Sequence, residues 1–291
     1  MNNKKNILVT GANGQLGMEF RTLVDQYPTY NFLFTSKDEL PVNDKAAAEK
    51  YFSENKIGHC INCAAYTAVD KAETEKAIAF DINGTAVGKL ASLCKKYDTQ
   101  FIHFSTDYIF NGRSTEPYKE TDPTDPVNAY GASKWLGEIE TIKNNPGAIV
   151  IRTSWVYSSF GKNFVKTMLR LMNEKQQLSV VNDQLGSPTY ANDLAKVVMH
   201  IIEKNNPSSA GIYNYCNSGI ISWYEFALAI KEISKATCIV NPVPSSEYPT
   251  PAKRPQYSVL DTSKFLKTFN IEIPDWRDSL EKCIAILRST I

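Results

Sequence analysis

Asn6-Ile-Leu-Val-Thr-Gly11-Ala-Asn-Gly14-Gln-Leu-Gly17 is the stretch that decides the fold. The apolar run at 6–10 has the length of a buried strand, and residues 15–26 carry Leu16, Phe20, Leu23 and Val24 at helical spacing. Gly11 permits a tight turn out of the strand. Gly14 lets the backbone approach a pyrophosphate, and Gly17 lets the helix pack close to the sheet. The helix N-terminus then offers unpaired N–H groups and a partial positive charge to phosphate oxygens. A glycine triplet also occurs in structural turns; its position between the first strand and first helix of a βαβ unit favours a dinucleotide site.

The alternation continues outward from this stretch. Strands are predicted at 31–36, 59–65, 101–106 and 148–157. Helices are predicted at 44–56, at 73–97 and from about Tyr130, separated by a Pro-, Thr- and Asp-rich loop at 111–128. Strands alternating with helices predict an α/β fold, a doubly wound parallel sheet of Rossmann-like form. Beyond residue 160 the pattern loosens. Helices are expected at 163–173, 192–204, 222–234, 263–269 and 275–287, with short strands at 178–181, 211–215 and 238–240. This predicts a smaller mixed α/β substrate lobe over the carboxyl edge of the sheet. Residues 1–157 are expected to be mainly dinucleotide-binding and 158–291 mainly substrate-binding, with segments returning to the first domain.

Composition narrows the function classes. The 291 residues include 32 Lys+Arg and 31 Asp+Glu, so no electrostatic case exists for a nucleic-acid partner. A hydrophobic content of 43% excludes a disordered chain. Apolar runs fall short of the ~20 residues of a membrane helix, so no membrane partner is expected. The N-terminus lacks the pattern of a signal peptide, which predicts a cytoplasmic protein. The six cysteines are scattered, and Cys60-x-x-Cys63 reads as two cysteines of a buried strand rather than a redox or zinc pair. His59, His103 and His200 have no metal-ligand spacing, so no metal site is expected.

Two further segments carry chemistry. The second strand ends Phe34-Thr35-Ser36-Lys37, where a ribose-binding carboxylate would ordinarily stand. A hydroxyl and a cation suit a 2′-phosphate, so Ser36 and Lys37 predict NADPH, with NADH possible through Asp38. Tyr130-Gly-Ala-Ser-Lys134 places a phenol and an ammonium on one helix face. The lysine is expected to lower the phenol's pKa and fit it to donate a proton to a carbonyl oxygen. One such spacing is expected by chance among 15 tyrosines, so its weight comes from Ser105-Thr106-Asp107 at the end of the fourth strand. A hydroxyl there can bond the same oxygen.

Taken in order, these blocks resemble the dTDP-4-dehydrorhamnose reductase family of extended short-chain dehydrogenase/reductases. The resemblance is carried by Gly11–Gly17 and by 61–73, Ile-Asn-Cys-Ala-Ala-Tyr-Thr-Ala-Val-Asp-Lys-Ala-Glu. It continues through 105–112, Tyr130-Gly-Ala-Ser-Lys134, 152–157, 182–189 and Arg254-Pro255. It implies that Gly14, Gln15 and Leu16 contact the cofactor pyrophosphate and that Val42, Ala64, Ala65 and Tyr66 line the cofactor. Thr106, Tyr130 and Lys134 are implied as the catalytic group, and Thr106, Asp107, Trp155 and Arg254 as contacts of a dTDP-sugar. The implied reaction is reduction of the sugar's 4-keto group with hydride from NADPH. Two departures stand out. Leu40-Pro-Val-Asn-Asp44 lacks the family's usual first Asp, and Asn192 replaces a glutamate that in some members joins Glu19 around magnesium. A monomer or weak homodimer is therefore expected. A non-catalytic nucleotide-binding regulator and a related epimerase or dehydratase remain alternatives, although dehydratases carry a glutamate where this chain has Tyr108.

Overall fold

The computed structural model describes residues 5–204 and 206–289; residues 1–4, read above as lacking a signal peptide, lie outside the described residues. The central sheet contains β1 (Lys5–Thr10), β2 (Tyr30–Thr35), β3 (Ile57–Asn62), β4 (Gln100–Thr106), β5 (Ile149–Thr153) and a sixth strand, Gly211–Asn214. All six are parallel, in the spatial order sixth strand, β5, β4, β3, β1, β2. The strand order reverses between β1 and β3. A crevice opens at such a point beyond the strand ends, because the chain leaves neighbouring strands in opposite directions.

Both sheet faces are covered, as the apolar content of the strands requires. On one face Ile7, Val9, Ile102 and Ile151 pack against Phe20 and Leu23 of α1 (Gln15–Leu23), Leu194 and Val198 of helix Ala191–Lys204, and Phe265 of helix Ser263–Phe269. On the other, Leu8, Cys60 and Phe101 meet Phe52 of α2 (Lys45–Asn55) and Leu90 of helix Ala86–Lys96. Asp44 opens α2 by accepting from Ala47 N–H at 3.0 Å, as its position in the sequence suggested. A second core gathers Val165, Met168, Leu178, Val240, Phe226 and Leu280 from helices Phe164–Glu174, Trp223–Ser234 and Trp276–Ser289 and the parallel strand pair Gln177–Val181 and Ile239–Val243.

Three expectations about elements need correction. The strand predicted at 59–65 ends at Asn62, so Cys63, Ala64 and Ala65 form the edge of the crevice and Cys63 is not a strand residue. The helix predicted at 73–97 begins at Lys76 and widens into a π-turn at Asp81–Thr85 before continuing as Ala86–Lys96. There the buried Asn83 holds both backbone groups of Tyr66 and donates to Ser133 Oγ at 2.9 Å. The strand predicted at 148–157 stops at Thr153. Trp155 takes a left-handed φ of 49°, and Val156–Tyr157 pairs instead with Thr189–Tyr190. Among the described residues no helix is long and apolar enough to cross a membrane.

Candidate active site

The crevice is a cavity of about 560 Å3 at the carboxyl ends of β1, β3, β4 and β5. Gly14, Gln15 and Leu16 form one wall, with Ala64 and Ala65 beside them. Gly11 has φ +62°, and a Cβ there would lie 2.6 Å from Ala64 N, so only glycine brings these two turns together. Gly17 is buried, and a Cβ on it would strike Ala12. Gly14 is the N-cap of α1 and has no side chain to cap it, and the first turn of the helix holds no acidic residue. The amide donors there are thus left for an anion, which is what a dinucleotide pyrophosphate requires.

Thr106, Tyr130 and Lys134 face this wall. Asn128 caps helix Ala129–Asn144, its Oδ1 accepting from Gly131 N–H at 2.7 Å, and so fixes Tyr130 in the first turn with Lys134 one turn later. Thr106 ends β4 with its hydroxyl beside Tyr130. Its Oγ1 donates to Asp107 Oδ1 at 2.9 Å, while Asp107 Oδ2 is buried without a partner among the described residues. Lys134 is 3% exposed and donates from Nζ to Phe104 O at 2.6 Å. Burial lowers its pKa to about 8 against the opposing pull of Glu138 and Cys63.

The sign of the Tyr130 shift differs from the expectation. Burial, then the charge of Asp107, push the phenol up to about 12, while the nearby Thr106 hydroxyl pulls it down. The lysine ammonium is directed at a backbone carbonyl, so burial dominates. Asp107 itself is raised to about 6 by burial, partly offset by the neighbouring Ser258 and Thr106 hydroxyls.

A third wall is aromatic. The indole of Trp155 stacks on Trp223 with centroids 3.6 Å apart and planes 11° from parallel. Gly186 backs the pair, since a Cβ there would sit 2.6 Å from the Trp155 ring. Trp223 was missed in the sequence. Its signal was the capping box Ser222–Glu225, which starts a helix at that residue and turns the ring toward the cavity. Cys63, Tyr108 and Lys162 also line the cavity and were not singled out as site residues.

Other expected contacts lie outside the cavity lining. Ser36, Lys37 and Val42 stand at and beyond the end of β2. Tyr66 turns its hydroxyl to Glu75 at 2.6 Å, and this bond raises its pKa to about 12. Arg254 pairs with Asp70 at 3.0 Å. Glu19 is buried, with Oε1 accepting from Ser158 at 2.6 Å and Oε2 from Asn192 at 2.9 Å. Among the described residues no group of three His, Cys, Asp or Glu is placed to hold a metal ion.

A doubly wound sheet, a glycine turn at the switch point and a Thr–Tyr–Lys group across the same cavity define a short-chain dehydrogenase/reductase of the extended kind. The chain belongs to the dTDP-4-dehydrorhamnose reductase family: the family model described as the RmlD substrate binding domain matches residues 5–289. It is 40% identical to a dTDP-4-dehydrorhamnose reductase of Burkholderia thailandensis, over 97% of this chain and 99% of the relative. It is 41% identical to the spore coat polysaccharide biosynthesis protein SpsK of Bacillus subtilis, over 95% of each. A crystal structure of dTDP-4-dehydrorhamnose reductase from Bacillus anthracis in complex with NADP superposes with a TM-score of 0.93 at 35% identity, covering 97% of this chain and 99% of that one.

Proposed function

We propose that this chain reduces the 4-keto group of dTDP-4-dehydro-6-deoxy-L-mannose to give dTDP-L-rhamnose. The observation that carries the reading is the convergence of the uncapped α1 N-terminus and the Thr106–Tyr130–Lys134 group on one cavity. NADPH, held at Gly11, Gly14, Gln15, Leu16 and Gly17, supplies the hydride. Tyr130 gives the proton to O4. Its raised pKa keeps it protonated at neutral pH, the state a reductase needs in its acid. Thr106 orients the same oxygen by a hydrogen bond. Lys134 places a positive charge next to the reacting centre and holds the ribose.

The remaining contacts follow from chemistry. The Trp155–Trp223 pair offers an apolar face to the 6-methyl side of the sugar, and the free Oδ2 of Asp107 accepts from a sugar hydroxyl. Residues 1–157 mainly hold the dinucleotide at the glycine turn, and 158–291, which bring Trp223 onto Trp155, mainly hold the sugar. The protein is proposed to act in the cytoplasm as a monomer or weak homodimer. The test is product analysis after incubation with NADPH and a panel of 4-keto nucleotide sugars. Formation of the dTDP-L-rhamnose product supports the reading; binding of NADPH without turnover of any sugar supports a regulator instead.

A further inference from the structure

We propose that Glu39 is the residue by which this site distinguishes a plain adenosine ribose from a 2′-phosphorylated one. The proposal rests on the dinucleotide reading above and deepens it. The end of β2 abuts the phosphate turn, since Ala12 N–H donates to Thr35 O at 3.1 Å. The first residue past the strand, Ser36, is therefore where the adenosine ribose meets the protein. Its backbone donor is already held: the Ser36 N–H donates to Glu39 Oε2 at 2.7 Å.

The turn is closed at its other end as well. Leu40 N–H donates to Ser36 O at 2.9 Å, and the Leu40 side chain is buried. Glu39 is thus folded back over the strand end, as exposed as Lys37 and Asp38 but tied there to Ser36. The Arg21 guanidinium lies 4.3 Å over the Phe34 ring, and its charge acts on Glu39. The Ser36 N–H, with the Ser36 hydroxyl nearby, holds the Glu39 carboxyl below its usual range, so it is ionised at neutral pH.

The chemistry of the two riboses then separates them. A ribose diol brings O–H donors, and a carboxylate accepts them. A 2′-phosphate brings acceptors and negative charge. To bind, it must displace Glu39 from Ser36 and then recruit Ser36 and Lys37. Ser36 and Lys37 alone predicted NADPH, with Asp38 as the fallback for NADH. The structure assigns the carboxylate role to Glu39, four residues past the strand end rather than at it. The site accordingly takes NADH as well as NADPH, and the Glu39 charge sets their ratio.

The test is equilibrium binding of NADPH and NADH, followed by nicotinamide fluorescence, to the parent chain and to Glu39→Gln, Asp38→Asn and Lys37→Met. Gln keeps an acceptor for Ser36 and so preserves the turn, which an unchanged melting temperature verifies. Glu39→Gln is expected to raise the ratio Kd(NADH)/Kd(NADPH) about tenfold, the size of one charge-assisted hydrogen bond gained. Lys37→Met is expected to lower that ratio by weakening NADPH, and Asp38→Asn to leave it within about twofold. A ratio unmoved by Glu39→Gln, or moved by Asp38→Asn instead, overturns the proposal while leaving the dinucleotide site standing. Failure of the parent chain to bind either dinucleotide overturns both.

Discussion

Tyr130 and Asp107 are neighbours whose charges work against each other. The carboxylate raises the phenol, and each is raised by burial. For the phenol this suits the proposed proton donation. Tyr130→Phe removes one oxygen and keeps the ring, so kcat in single turnover should fall by about 10²–10⁴-fold with NADPH binding retained. Lys134→Met should instead weaken turnover and NADPH affinity together, and a Tyr130→Phe rate within a few-fold of the parent would exclude Tyr130 as the acid. For Asp107 the cost is stability. Its folded pKa of about 6 lies above the unfolded 3.8, so its contribution to stability is greatest below the unfolded value and is lost as pH rises through about 6. The shift corresponds to about 3 kcal/mol. Asp107→Asn should therefore raise the unfolding free energy by up to that amount at pH 8 and by little at pH 4, as measured by urea denaturation. A variant no more stable at pH 8 than the parent would show that the buried charge is compensated.

At the scale of elements, the aromatic wall depends on a close approach. Gly186→Ala would press a methyl into the Trp155 ring and tilt it off Trp223. The expected result is a higher KM for the nucleotide sugar, by about tenfold, with the Kd for NADPH unchanged. Loss of both affinities would mean that the strand pair of Leu185–Gly186 with Ile221–Ser222 had itself come apart. The same segment shows why reading the sequence went only so far. Asn6–Gly17 was legible because strand, turn and helix are contiguous, although the approach of Gly11 to Ala64 is not local. Tyr130–Lys134 and Thr106 were legible for the same reason. Trp155 was legible only as a residue, because its left-handed backbone comes from non-local pairing of Val156–Tyr157 with Thr189–Tyr190. The π-turn at Asp81–Thr85 was not legible at all. Its extra residue serves Asn83, whose partners Tyr66 and Ser133 lie 17 and 50 residues away. Glu39 was missed because the strand-end rule looks at the strand end, and a turn brings this carboxylate back to it.

Across the whole molecule, buried polar ties join the phosphate-binding helix to the rest of the chain. Glu19 on α1 accepts from Ser158 and Asn192, and Asn163 donates to Gln15 Oε1 at 2.9 Å. Arg152 on β5 and Glu138 on the catalytic helix form a buried bidentate pair, 2.7 Å at its shortest, one turn beyond Lys134. Breaking such a pair costs about 3–5 kcal/mol, which keeps that helix in register with the sheet. The Glu19 tie also bears on metal. Both carboxylate oxygens are satisfied within one chain, and amide and hydroxyl donors make a poor magnesium shell. EDTA should therefore leave both activity and solution mass unchanged. Loss of either on chelation, restored by Mg²⁺, would show that the ion draws its ligands from elsewhere.

The parallel stack of Trp155 on Trp223 gives the proposed sugar side of the cavity an optical signature of its own. Two indoles so close share their excited states, so their circular dichroism is that of a coupled pair and not of two separate chromophores. A ligand that wedges against Trp155 alters that coupling, whereas one confined to the phosphate turn leaves it alone. With the sugar at Trp155 and the dinucleotide at the glycine turn, as proposed, the pair would be a label-free reporter that distinguishes arrival of one from arrival of the other.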